Sequence, residues 1–418
     1  MRALSFFLFA GAVVSATAAS DASVARWLVK EATFAAISTT SAGHEGISEK
    51  GSVFANGQDI SDGIAGSSTG IIYLYLSALD PTGADLLVNP RGSVTISEAQ
   101  LNASGCGQTD PEDPTCAKLT LSGKISKVTG SVADLAKAAI QSRHPATKSW
   151  PTDHNFFYLQ MSVEAIFFLD FYGGAKNISI ADYFAATPEA PPPSMKGKAT
   201  AQEGESMESV KSFVKSVLSL GQNIVKAQPN IAHKAKAVGD RPLFFERAKV
   251  ARWMVHQATW GVVSTTSVHL KGAPFGNVFS VADGVGLADK NSTGRLFFYM
   301  TTLDPTGQDL QKNPNCTFQI SEASLPANLK KSVLCRGLDP EDPRCARITF
   351  SGPMVNLTKS EDIAVAKQSL FSRHPAMASW PTGHHFSFYE LKFTSIYFLD
   401  MFGGDNTLEV QKYWDATP

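Results

Sequence analysis

Residues 142–157 read SRHPATKSWPTDHNFF and return at 372–387 as SRHPAMASWPTGHHFS. Both copies keep Arg-His-Pro, Ser-Trp-Pro-Thr and a second His at the same offsets. Agreement of this kind marks a tandem duplication, which limits the fold more tightly than composition does. Each half must make the same domain, and like domains in one chain can bury like faces against each other. The 418 residues therefore divide into two units of about 165 residues, each large enough for its own core. The boundaries are 24–187 and 247–418, with 188–246 as a linker.

Residues 1–19 read as a secretory signal peptide. Arg2 is a short positive start, Ala3 to Val14 is apolar, and Ala16-Thr17-Ala18 is a small-residue cleavage site. The alternative is an uncleaved anchor. No later segment is apolar for long enough to span a bilayer. The net charge of -1 with no long basic run argues against nucleic acid as a partner.

An oxidising compartment makes the cysteines readable as bridges. Cys106 with Cys116, and Cys335 with Cys345, bracket the same Asp-Pro-Glu-Asp-Pro loop. Two disulfides are expected, with a metal clip as the alternative. Cys316 is left over, in an expected strand, and reads as a buried free thiol. Asn102, Asn177, Asn291, Asn315 and Asn356 each begin an Asn-x-Ser/Thr sequon, which makes them glycan acceptors in a secreted chain.

Apolar residues at helical spacing in Val24, Trp27, Leu28 and Phe34 predict an opening amphipathic helix, repeated at Val250, Trp253, Met254 and Trp260. β-Branched strands follow at 35–40 and 261–266, with short strands near 53–54 and 277–279. Residues 71–76 and 296–300 are continuous apolar runs, expected as buried strands. Short helices through Asp85-Leu86 and Asp309-Leu310 should stop before Asn-Pro. Strands 94–97 and 317–321 come next. Strands 117–128 and 346–357 share Ser122-Gly123 and Ser351-Gly352, where a bulge or bend is expected. Ser131 to Asp134 resembles a capping box opening a helix that buries Val132, Leu135, Ala136, Ala139 and Ile140. Its twin buries Ile363, Ala366 and Leu370. An apolar strand through Leu169 or Leu399 and a short aromatic helix close each repeat. Antiparallel strands with inserted helices define an α+β domain built on a β-barrel. In the linker, Val210, Phe213, Val214, Val217, Leu218, Ile224 and Val225 share one helical face. That face suits docking on a barrel better than a membrane surface, because positive charge is sparse.

Chemistry is harder to find. His144 and His154, like His374 and His384, could make half a metal site, but no carboxylate accompanies them in both copies: Asp153 becomes Gly383. No metal site is expected. Arg143, His144 and Trp150, with Arg373, His374 and Trp380, read as residues that lock the loop onto the barrel. His154 and His384 are the weak candidates for acid–base work, each without a paired nucleophile.

These same residues resemble the CREG family, secreted glycoproteins. The resemblance rests on the Ala-Arg-Trp helix with its Ser-Thr-Thr strand, residues 75–79, Asn89-Pro90 and Asp-Pro-x-x-Pro-x-Cys at 110–116 and 339–345. It also rests on the duplicated Arg-His-Pro stretch and Leu-Asp-x-x-Gly-Gly at 169–174 and 399–404. It covers 24–187 and 250–417; the duplication and long linker depart from the family pattern. It implies two tandem split β-barrels of the pyridoxamine phosphate oxidase kind, paired as an intramolecular pseudo-dimer. Flavin-binding relatives hold the FMN phosphate with an early-strand Arg and a basic pair. Those positions fall near Ser52 and Asn277, and on Thr82 and Thr306, beside Asp80 and Asp304. Arg91 and Arg295 are the nearest cations, and neither is repeated. The resemblance thus implies a secreted or endolysosomal glycoprotein that acts by binding a protein or glycan-receptor partner, without cofactor. An FMN-dependent oxidoreductase is the alternative, and a membrane-surface or hydrolase-cofactor role for the linker helix a third reading. The strands near Tyr73–Leu76 and Phe297–Met300 are expected close to the barrel–barrel contact.

Overall fold

The structure, a computed structural model, describes residues 19–101, 106, 110–191, 241–325, 335, 337–401 and 407–418. The signal peptide and the linker helix lie outside the described residues, as does Asn102. Helix α1 (Asp21–Glu31) is capped by Ser20, whose hydroxyl accepts from the Ser23 N–H. It sinks Val24, Ala25, Leu28 and Val29 into the first core. Phe34 shares their spacing but belongs to the next element, because the chain is extended at Ala32.

The first sheet holds β1 (Phe34–Thr40), β2 (Val53–Asp59), β3 (Tyr73–Leu76), β4 (Arg91–Ser97), β5 (Lys118–Lys127) and β6 (Phe157–Leu169), in the order β2-β1-β4-β5-β6-β3. All pairs are antiparallel. A bridge from Ser61 to Tyr73 ties the end of β2 back to β3 and curls the sheet. The second repeat copies this with β7 (Trp260–Thr266), β8 (Pro274–Ser280), β9 (Phe297–Met300), β10 (Asn315–Ser321), β11 (Arg347–Asn356) and β12 (Ser387–Leu391), in the order β8-β7-β10-β11-β12-β9; β13 (Ser395–Leu399) also pairs with β11. The expected bend is present. Register shifts between Ser122 and Gly123, and a Cβ on Gly123 would lie 2.0 Å from the Ser162 carbonyl oxygen. At the same place in the second repeat the long strand divides into β12 and β13.

Helix α2 (Pro81–Val88) starts on Asp80, which caps the Thr82 N–H, and ends at Asn89. Helix α3 (Gly130–Arg143) departs from expectation. Its N-cap is Thr129 with no side-chain hydrogen bond, so the capping box is absent. Ala136, Ala139 and Ile140 form one stripe under β3, while Leu135 lies off that stripe and is 59 % exposed; Val132, in the first turn, is also exposed. Helix α4 (Ile180–Ala185) closes the repeat. The second repeat has α5 (Arg247–Gln257), α6 (Pro305–Lys312), α7 (Ser360–Arg373) and α8 (Val410–Asp415) in the same places.

The two barrels pair within the chain. Strands β1, β2, β4 and β5 face β7, β8, β10 and β11. The seam repeats its contacts about a pseudo-twofold: Thr120 Oγ1 donates to the Gly276 carbonyl at 2.7 Å and Thr349 Oγ1 to the Ala55 carbonyl at 2.7 Å. On the axis Ser38 and Ser264 hydroxyls meet at 2.8 Å. A Cβ on Gly276 would stand 2.4 Å from Thr95 Oγ1, so the close approach of the sheets requires glycine there. Strands β3 and β9 are not at this seam. Each is the edge of its sheet farthest from β2 or β8, covered by α3 or α7. The continuous apolar run reflects burial between barrel and helix.

Candidate functional site at the seam

The duplicated loop is held by its first two residues. Arg143 donates to Asp62 Oδ1 at 3.1 Å and to the Ala32 carbonyl at 2.6 Å. Arg373 does the same to Asp283 and Ala258. Trp150 stacks on Tyr75 with centroids 5.8 Å apart, and Trp380 on Tyr299 at 5.9 Å. His154 and His384 stand exposed beside Phe156 and Phe386. Among the described residues neither imidazole has a carboxylate or nucleophile at hydrogen-bond distance. They do not join the buried chemistry.

His144 does. Its Nε2 faces the Ile60 carbonyl at 2.9 Å, and its Nδ1 faces Asp339 Oδ2 of the other repeat at 2.9 Å. Asp59 Oδ2 lies 3.2 Å from the same Nδ1, yet both Asp59 oxygens are buried without a hydrogen bond. Burial pushes Asp59 up to about 7 against the pull of His144. Burial alone would lower His144, but the Asp59 charge and the Asp339 hydrogen bond lift it to about 11. Asp339 overcomes its own burial through its contact with the Asp59 carboxyl and its hydrogen bond to His144, and falls to about 2. Beside the cluster Glu341 Oε2 accepts from the Asp59 N–H at 2.9 Å, and Arg347 donates to the Gly57 carbonyl at 2.9 Å.

The twin site differs at two positions: Lys118 stands where Arg347 stands, as the first residue of the equivalent strand, and an aspartate is replaced. Ser280 stands where Asp59 stands, since each pairs with the first residue of the neighbouring strand. His374 Nδ1 meets Asp110 Oδ2 at 2.6 Å and Nε2 meets the Val281 carbonyl at 3.0 Å. Ser280 Oγ donates to Asp110 Oδ1 at 2.6 Å, and Glu112 accepts from the Ser280 N–H. In the sequence Asp-Pro-Glu-Asp-Pro reads as a loop between two bridged cysteines. It is the arm each repeat lends to the other. Its repetition was the available signal for Asp110, Glu112, Asp339 and Glu341; Asp59, unmatched in the twin, had none.

The disulfide that anchors each arm pairs Cys106 with Cys116 at a Cα separation of 5.2 Å, and Cys335 with Cys345 at 4.5 Å. Cys316 is buried and free, its thiol pushed up to about 12 by burial.

The positions that the resemblance implies for a flavin phosphate lie beside the acids Asp80 and Asp304. The counterpart of Asn277 is Asn56, not Ser52: the strand register pairs Asn56 with Ile37 and Asn277 with Val263. The loop before β2 is longer than that before β8, which displaced the expected match. Ser52 instead turns to the Glu49 carbonyl. Asn56 and Gln58 donate to Asp80 at 3.0 and 2.9 Å, and Gln58 also to Thr82. Asn277 donates to Asp304 at 3.0 Å and to Thr306 at 3.1 Å. Arg91 is spent on the Leu270 carbonyl and Arg295 on Glu390 and Asp362. The donors a phosphate would need already hold carboxylates, so these residues do not fit FMN.

Of the sequons, Asn177, Asn315 and Asn356 are exposed. Asn291 is half-buried, and its amide donates to the Val285 carbonyl at 2.9 Å. Glycopeptide mapping of protein made through a secretory host is expected to find glycan at the first three and least at Asn291, where a glycan would remove that bond.

Paired split β-barrels with a polar seam define the class of protein. The chain belongs to the CREG family: the CREG β-barrel family model matches twice, at 16–185 and 242–415. It is 38% identical to human Protein CREG2 over 176 residues, 41% of this chain and 57% of that protein. It is 36% identical to chicken Protein CREG1 over 186 residues, 44% of this chain and 93% of that protein. The chain thus spans little over half of human CREG2. Among solved structures it is similar to a heme binding protein from Mycobacterium smegmatis, with TM-score 0.33 and 20% identity over 40% of this chain and 62% of that one. A putative pyridoxamine 5'-phosphate oxidase from Listeria innocua gives TM-score 0.23 and 14% identity over 34% and 93%.

Proposed function

We propose that this is a secreted or endolysosomal glycoprotein that acts by binding a protein or glycan-receptor partner in the secretory pathway, without flavin catalysis. The observation that carries this is the acid beside each phosphate position that the resemblance implies. Asp80 and Asp304 sit with amide donors already engaged, and burial raises Asp304 above its ordinary value. A phosphate dianion there would meet a carboxylate where it needs a cation or a nest of N–H groups. The signal peptide at 1–19 and the two bridged arms support the secretory route. No described helix is long and apolar enough to cross a membrane. The linker at 188–246 serves in this reading as the tether that lets the barrels pair.

The test is optical. Mature protein from a secreting host is expected to be colourless and to leave the fluorescence of added FMN unchanged at micromolar concentration. A yellow protein that releases one FMN per barrel pair on denaturation would overturn the reading.

A further inference from the structure

Asp59, His144 and Asp339 bring three potential ligand atoms within 4.8 Å of one another. Their side chains are 3 %, 1 % and 6 % exposed. A cluster of acids alone says little, because acids gather for many reasons. Here a second fact points inward: Asp59 is buried with neither oxygen hydrogen-bonded. A buried carboxylate with no hydrogen bond, whose ion-pair partner, His144 Nδ1 at 3.2 Å, is already engaged by Asp339, is costly, and its twin shows how cheaply the cost is avoided. Serine at 280 satisfies the same place by donating to Asp110. The first repeat keeps an aspartate where a hydroxyl would close the network.

We infer that Asp59, His144 and Asp339 are the ligands of a divalent transition metal, zinc above others, that staples the two repeats together. Repeat one supplies Asp59 and His144; repeat two supplies Asp339. The supporting contacts are those a metal site uses. The Nε2–H of His144 is directed at the Ile60 carbonyl, which leaves Nδ1 as the ligand atom and fixes the ring. Asp339 Oδ1 accepts the Glu341 N–H at 3.2 Å, which turns Oδ2 toward Nδ1. Asp59 is pinned through its own N–H by Glu341. Ligand atoms about 2.0–2.2 Å from zinc lie about 3.4 Å apart in a tetrahedron. The observed 2.9 and 3.2 Å from Nδ1 need widen by only a few tenths of an ångström. One nitrogen and two carboxylates suit zinc, with a water in the fourth position. Calcium would need six or more oxygens, and copper(I) would need thiolate or thioether. On binding, Nδ1 gives up its proton to solvent and its lone pair goes to the metal. The twin, with Ser280, has one carboxylate fewer and is not a site.

The test measures zinc per chain in the full-length mature protein after equilibration with zinc and removal of excess. One tight zinc is expected. Asp59→Ser copies the arrangement the fold already tolerates in its twin, and is expected to weaken zinc binding about 100-fold or more. If that variant fails to fold, cobalt(II) added to the wild-type protein is expected to give the visible d–d bands of an N/O ligand set. A wild-type chain that takes up no tight zinc, with the three groups sharing protons instead, overturns the inference. So does a zinc count unchanged by Asp59→Ser, or cobalt without d–d bands beyond those of the free ion.

Discussion

Arg373→Ala is expected to destabilise the second repeat by about 3–5 kcal/mol, the usual cost of leaving a buried charge without its partner. The guanidinium is 2 % exposed and Asp283 fully buried. Asp283 gathers four neighbours: Arg373 at 3.2 Å, His256 Nδ1 at 2.8 Å, the Ser292 hydroxyl at 2.5 Å and the Gly294 N–H at 3.4 Å. Burial would raise this carboxyl, but the hydrogen bond and charge of His256, with Arg373, hold it below its ordinary value of 3.8. A depressed folded-state value means the stabilisation is fully present above the unfolded value. It is lost as pH falls through the folded one. Denaturant titrations at neutral pH should read the loss directly, and the acid transition of the variant should move to higher pH. The matched change Arg143→Ala should cost less, because that guanidinium is 11 % exposed and solvent can replace part of what Asp62 loses. Equal costs in the two repeats, or a cost under about 1 kcal/mol for Arg373, would remove this account of why the motif carries arginine.

That motif illustrates what a sequence makes legible. Strands, helices and the bend at Ser122-Gly123 rest on local patterns, and local patterns suffice for them. The duplication then supplied the pairing, because a second copy is the natural cover for a barrel face. The role of His144 was out of reach. Its partners are Ile60, 84 residues earlier, and Asp339, 195 residues later, and only the pseudo-twofold brings them together. The repeat even misled. Comparing His154 with His384 found no shared carboxylate, while the acids that matter cross over from the opposite repeat. Ser52 was matched to Asn277 because a loop-length difference hides the register that places Asn56 there. The exposure of Val132 and Leu135 shows the same limit at smaller scale: helical spacing names an apolar face, but the edge strand beneath decides how much of it is covered.

The seam itself gives the other large effect. Phe54→Ala is expected to cost about 3–5 kcal/mol, the range for removing a buried phenyl ring, although Phe54 belongs to the core of neither barrel. Its ring is fully buried among Ile47, Tyr397 and Leu399. It meets Tyr397 of the other repeat edge-on, centroids 5.6 Å apart and planes at 87°. The twin contact sets Phe275 against Phe167 at 5.5 Å and 87°. Most of what Phe54→Ala loses is therefore contact between repeats. Two readouts follow. A double-mutant cycle with Tyr397→Ala should give a coupling of about 0.5–1.5 kcal/mol, the value of an aromatic pair beyond its area. Calorimetry should show one cooperative transition in the wild type, because each barrel is stabilised by the other, and a broader or split one in the variant. Tethering holds the repeats at an effective concentration of order mM, so a weakened seam should loosen within the monomer before chains exchange partners. The mature wild-type chain should accordingly scatter light as a monomer. A dimer mass at low concentration, or a Phe54→Ala variant as stable as wild type, would mean that the barrels find their partners in other chains and that this seam is not what holds them.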